Sequence, residues 1–119
     1  MTFSTRNEGF QVSFPNGYTV SIGTGSMHYC ENHTLGGPMV NKPWESRDAE
    51  VAVYREESYR GVDTMNYVLS NDVEGYITPL QFARLIEYVS ALPGDYLSED
   101  VIAGMDEIFE DRLDTAPQL

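Results

Sequence analysis

Between residues 10 and 22 apolar and polar positions alternate in two runs. Phe10, Val12 and Phe14 are separated by Gln11 and Ser13, and Tyr18, Val20 and Ile22 by Thr19 and Ser21, the period of two of a half-buried strand. Pro15-Asn16-Gly17 lies between the runs. A two-residue Asn-Gly loop would pair Phe14 with Thr19 and Val12 with Ser21, leaving the two apolar sets on opposite faces. A three-residue loop pairs Phe14 with Tyr18, Val12 with Val20 and Phe10 with Ile22, and all six share one face. Because a slip of one residue turns every side chain over, the pattern predicts the three-residue loop. Its chemistry fits a type I turn opened by Pro15, with Gly17 in the left-handed position of a bulge.

Gly23-Thr24-Gly25-Ser26 ends this alternation. Met27–Cys30 is expected as a short strand, and 33–48, with Gly36-Gly37-Pro38 and Lys42-Pro43, as a long loop. Ala49 to Tyr54 alternates again and predicts a strand. The stretch 55–66 is polar without a period, and Tyr67-Val68-Leu69 reads as a further short strand.

The period then changes to that of a helix. Thr78-Pro79-Leu80-Gln81 is a capping box with proline at the first helical position. Phe82, Leu85, Ile86, Val89 and Leu92 fall within an arc of about 120°, and Pro93-Gly94 closes the helix. Ser98 caps a second helix, expected to run to about Leu113, with Glu99 and Asp100 in its first turn. Val101, Ile102, Met105, Ile108, Phe109 and Leu113 make its apolar stripe. Such a stripe can dock on its own domain or on a second copy, which leaves a homodimer open.

These elements predict an α+β fold: a small antiparallel sheet, built from the N-terminal hairpin and one or two further strands, packed against one helix, with an additional acidic C-terminal helix. The organisation is an N-terminal arm (1–9), a core domain (10–93) and the acidic helix and tail (94–119). A chain of 119 residues is one domain by size.

Charge narrows the function. Nineteen acids against seven bases give a net −12. That argues against direct binding to nucleic acid or an anionic membrane, which need clustered Lys and Arg. It favours a partner with a basic surface. From Gly94 onward there are eight acids and one base, so the C-terminal quarter holds more than half of the excess. No run is long and apolar enough for a membrane span, no signal peptide is visible at the N-terminus, and one cysteine makes no internal disulfide. The expected location is cytoplasmic.

Two groups of residues are candidates for chemistry or contact. His28, Tyr29, Cys30 and His33 cluster after the glycine loop. A zinc site needs about four N, S or O ligands, and no second Cys or His pair exists to complete one. No metal or other cofactor is therefore expected, and in so acidic a chain a depressed Cys30 pKa has little support. Gly23-x-Gly25 before an extended segment reads as a hairpin exit rather than a phosphate loop. The second group is acidic: Asp106, Glu107, Glu110 and Asp111 approach a helix C-terminus, where the macrodipole disfavours anions, and repel one another at i, i+4 spacing. Trp44, in the long loop, is the candidate aromatic anchor.

The pattern F-P-N-G-Y-T-V-S-I, then Gly23-x-Gly25, then Tyr29-Cys30-x-Asn32, resembles a group of small proteins encoded by bacteriophages and related mobile elements. Ala49-Glu50-Val51-Ala52 and Gly75-Tyr76-Ile77-Thr78-Pro79 match two further motifs of that group. The resemblance covers Phe10 to Leu92 and stops before the acidic helix. It implies a genomic context and assigns no catalytic residue. Together these features predict a non-enzymatic phage accessory protein that binds and inhibits a host protein, a defence or nucleic-acid-handling factor. Asp106, Glu107, Glu110, Asp111 and Trp44 would make the contact. The alternative is a module that binds or hydrolyses a small ligand, a nucleotide or a metal, on the 23–33 loop through His28, Tyr29, Cys30 and His33.

Overall fold

The structure is a computed structural model, and it describes residues 1–6, 9–25, 28–33, 45–94 and 97–111. Strands β1 (Thr2–Arg6), β2 (Gly9–Ser13), β3 (Tyr18–Gly23), β4 (Ala49–Tyr59), β5 (Val62–Tyr67) and β6 (Val73–Ile77) precede helices α1 (Pro79–Ser90) and α2 (Glu99–Glu110). The six strands form one antiparallel sheet in the order β1-β2-β3-β4-β5, with β6 also paired to β4. The fold is α+β, as the pattern predicts, with a larger sheet than expected.

The β2–β3 register follows the apolar face. Phe10 lies opposite Ile22 and Val12 opposite Val20. Phe14 N–H donates to Tyr18 O (2.8 Å) and Gly17 N–H to Phe14 O (3.1 Å), which closes the three-residue loop. Gly17 has φ +89°, a conformation that favours glycine. Val12, Tyr18 and Val20 are buried, and Phe14 and Ile22 pack against the core. Phe10 sits at the rim, edge-on to Phe82 of α1.

The sheet differs from expectation in several parts: the strand expected over Tyr67-Val68-Leu69 reduces to Tyr67, the last residue of β5, and β6 has no counterpart among the predicted elements. Most of the predicted arm, residues 1–9, is a strand: β1 pairs with β2, Thr2 opposite Ser13 and Arg6 opposite Gly9. The unplaced polar stretch is the distal half of β4, a two-residue turn and β5. Arg60 and Gly61 have φ +53° and +77°, the pair of left-handed residues a type I′ hairpin requires. Among the described residues nothing covers Glu56, Glu57, Thr64, Met65 and Asn66 of this ribbon, which are exposed. The strand expected over 27–30 does not form in its described part. His28 N–H donates to Gly25 O, Cys30 N–H to His28 O and His33 N–H to Cys30 O, and these local turns engage donors a strand would offer to a neighbour.

Both helices pack on the hydrophobic face of the sheet. The core unites Val20, Val51, Val53, Val68, Leu69 and Ile77 with Leu85 and Val89 of α1 and Met105 and Phe109 of α2. The α2 stripe is thus seated on its own domain, and the segment set apart by its charge shares the common core. The Tyr18 hydroxyl is buried without a hydrogen-bond partner among the described residues, a cost of about 1–3 kcal/mol.

The helix ends are closed in a way the sequence pattern does not announce. The last carbonyls of a helix need donors, and neither helix has a basic residue in its last turn. At the end of α1 the donor is Asn16 of the hairpin loop, whose Nδ2 reaches Val89 O (2.8 Å) and Leu92 O (3.0 Å). Its Oδ1 accepts from Tyr18 N–H. At the end of α2 the donor is Gln81, fully buried. Its Oε1 accepts from Thr78 N–H (2.9 Å) in the α1 capping box, while Nε2 donates to Phe109 O (3.0 Å) and Asp111 O (2.9 Å). One side chain therefore caps the start of α1 and the finish of α2.

Candidate functional site

The Gly23–His33 segment is held to the sheet by carboxylates. Glu50 points from β4 at its base; Oε2 accepts Tyr29 N–H (2.9 Å), and Oε1 lies 3.5 Å from His28 Nδ1. The His28 ring lies on Gly23, where a Cβ would approach the ring within 2.4 Å, so only glycine leaves room for it. Asp48 accepts Glu31 N–H (2.5 Å), and Arg47 pairs with Glu31. On the other side Tyr29 O accepts Tyr76 N–H (2.9 Å), and a Cβ on Gly75 would meet Tyr29 Cβ at 2.7 Å. Tyr76 holds φ +56°, uncommon for a bulky residue.

Cys30 is buried beneath this segment, its thiol directed at Gly25 O (3.5 Å). Burial pushes the Cys30 thiol up, helped by the nearby carboxylates of Asp48 and Glu50 and opposed by hydrogen bonds from Asn32 N–H and Ser46. A nucleophilic cysteine needs the reverse shift and access to solvent. Asn32 Nδ2 bridges Thr24 O and Glu45 O, both at 2.9 Å, and ties the two ends of the loop together. His33 Nδ1 lies 3.0 Å from His28 O, and its ring stacks at 5.1 Å on that of Tyr29. His28, Tyr29, Cys30 and His33 are brought together, but as parts of a pinned loop. Among the described residues no three His, Cys, Asp or Glu side chains are placed to hold a metal ion.

Beside this loop, on the sheet face away from the helices, lies a cleft of about 190 Å³. Its walls include Gly23, His28, Glu50, Tyr54 and Tyr67. Tyr54 and Tyr67 stack across β4 and β5 with centroids 4.9 Å apart.

The four candidate acids, Asp106, Glu107 and Glu110 in α2 and Asp111 at its C-cap, divide into two pairs. Asp106, at one border of the acidic arc, accepts from the Ser70 hydroxyl (2.9 Å). Asp111, at the other, forms a 2.5 Å ion pair with Arg84 of α1. Glu107 and Glu110 stand between them, exposed, with no ion pair or hydrogen bond to their carboxylates among the described residues. The helix shows this face because Met105 and Phe109 are buried on the other side. Trp44 lies outside the described residues.

Pattern reasoning did not identify Glu50, Asp48, Asn16 and Gln81 as the groups that organise these regions. Glu50 carried a weak signal, a carboxylate in an otherwise apolar strand run. Asn16 and Gln81 carried none beyond their local roles, since their second partners are distant in sequence.

Among the described residues no helix is long and apolar enough to cross a membrane. Compared with known proteins, the chain matches no family model, no curated protein and no solved structure.

Proposed function

We propose that this chain is a non-enzymatic binding protein that docks on a basic surface of another protein through the acidic face of α2. The observation that carries this reading is the pair Glu107 and Glu110, two exposed carboxylates near the C-terminal end of a helix. There the macrodipole opposes them, and neither carboxylate has an ion-pair partner among the described residues. Their placement costs stability and is offset when a cationic surface approaches. Asp106 and Asp111 frame the pair and are held by Ser70 and Arg84, so the face is presented in one geometry. The net charge of −12 would speed encounter with such a partner at low salt. The resemblance of Phe10–Leu92 to small phage-encoded proteins supports a host protein as the partner, blocked by occlusion of its basic groove in the host cytoplasm.

The test is a paired capture from host lysate with the native chain and the E107Q/E110Q variant, read by quantitative mass spectrometry. A partner retained by the first and lost by the second, with capture falling as salt rises, supports the reading. Equal recovery by both baits overturns it.

A second reading, a small-ligand site at the 23–33 loop, draws on the cleft beside His28 and Glu50. It is the weaker one, because the His28–Glu50 contact and the Tyr29 N–H already engage the carboxylate that would orient a ligand. Calorimetric titration with nucleotides and divalent metals separates the two readings, since a specific signal lost in H28A would favour the second.

A further inference from the structure

Among the described residues the sheet presents β1 at one edge and β5 and β6 at the other, and the two differ in chemistry. The β5 edge belongs to the ribbon that carries Glu56, Glu57 and Asp63. The β1 edge, within residues 1–6, carries no acid and one arginine. In a chain of net charge −12, two copies repel wherever acidic surfaces meet. β1 is the place in the sheet where they can approach without that penalty.

The backbone direction at β1 follows from the neighbouring hairpin. Phe14 N–H bonds to Tyr18 O, so hydrogen-bonded pairs alternate from there along β2 and β3: Phe14, Val12 and Phe10 face β3. Ser13, Gln11 and Gly9 therefore face β1, where their partners are Thr2, Ser4 and Arg6. By the same alternation the N–H and C=O groups of Phe3 and Thr5 point away from the sheet, and neither has a partner among the described residues. The Phe3 side chain shares the face of Val12 and is 76 % exposed. Apart from Arg6 at its end, the edge has no proline, lysine or bulge to guard it.

We infer that β1 is a homotypic docking edge, on which a second copy of this chain pairs antiparallel, β1 to β1, about a two-fold axis through Ser4. In this register Phe3 meets Thr5 of the second copy and Thr5 meets its Phe3, so four outward backbone groups on each strand find partners. Ser4 faces Ser4 in a non-hydrogen-bonded pair, and the two Phe3 rings are diagonal neighbours within aromatic reach. The isologous arrangement is closed and joins the two sheets into one. Two five-residue edges bury less than the roughly 1,200 Å² of a standard interface, so the dimer is weak and reversible. It is independent of the acidic face of α2.

Sedimentation velocity on the full chain, from low micromolar to about 1 mM, tests the assembly. The native chain should shift from monomer to dimer, and E107Q/E110Q should do the same. Thr5→Pro removes an outward N–H at an edge that tolerates proline, and Phe3→Lys places a charge in the seam. Each should weaken dimerisation about tenfold or more, with unchanged circular dichroism and melting temperature reporting an intact fold. The register is read by Ser4→Cys, which places two thiols across a pair whose Cα atoms lie about 4.5 Å apart. Under mild oxidation it should form a linked dimer far faster than a Ser90→Cys control on the exposed side of α1. A native chain that stays monomeric at about 1 mM, a dimer indifferent to F3K and T5P, or crosslinking of S4C no faster than the control would each overturn the inference.

Discussion

The Gly23–His33 loop and the acidic face of α2 both stand out in the sequence, yet the fold treats them in opposite ways. In the loop the unusual residues are tied to one another and to the sheet, with only the Tyr29 ring well exposed: Cys30 is buried, Asn32 bridges two carbonyls, and Glu50 anchors both His28 and the Tyr29 backbone. On α2 the borders of the acidic arc are tied down, and its crest, Glu107 and Glu110, is left to solvent. Rare residue chemistry thus marks a pinned irregular backbone in one place and an available surface in the other. Only the distribution of partners tells them apart.

The sharpest way to break this contrast is to unseat α2. Gln81→Leu keeps the bulk but strips the buried amide from the Phe109 and Asp111 carbonyls and from Thr78 N–H. It should lower unfolding stability by about 3 kcal/mol or more in urea titration, and the acidic face should lose its defined display. Asn32→Ala releases the loop from Thr24 and Glu45 and should cost about 2 kcal/mol by the same measurement. If it costs nothing, the loop is not pinned and its residues regain a functional candidacy.

Cys30→Ala should cost about 1 kcal/mol at neutral pH, from the small cavity it leaves. It also has a pH signature. Burial raises the thiol pKa in the folded state, so the unfolded chain ionises first. The stabilisation is complete below the ordinary thiol pKa of about 8.5 and is lost as pH rises through the folded value. The urea midpoint of the native chain should therefore fall more steeply between pH 8 and pH 10 (the range, about two units, that brackets this value) than that of C30A. The smallest effect is expected on the crest of α2. E107Q/E110Q should change stability by no more than about 0.5 kcal/mol, in the stabilising direction, because two anions leave a helix C-terminus.

What could be read in the sequence follows from where contrast between the faces of an element is strong. The β2–β3 register and α1 were legible because one face is buried and the other is not, and because Thr78-Pro79-Leu80-Gln81 has a local cap logic. The β4–β5 ribbon was not, since both of its faces meet solvent and Glu56, Glu57, Thr64 and Asn66 erase the period. β1 offers a single large apolar residue, Phe3, and becomes a strand only because β2 lies beside it. The turns at 28–33 depend on Glu50 and Tyr76, which the local pattern does not contain. The site reading inherits these limits. The acids of α2 were found from their helical spacing, while their division into tied and free pairs depends on Ser70 and Arg84, distant in the chain.

The asparagine in the first hairpin has a consequence for how the chain is made. Asn16 is made well before the carbonyls it closes, which belong to Val89 and Leu92, 73 and 76 residues later. Gln81 likewise waits for the end of α2. At about 5–20 residues per second of synthesis, the apolar residues of the hairpin wait several seconds or more for the helices that cover them. The core, which needs Met105 and Phe109, can therefore close only once α2 has been made, and until then its apolar residues are open to misassociation.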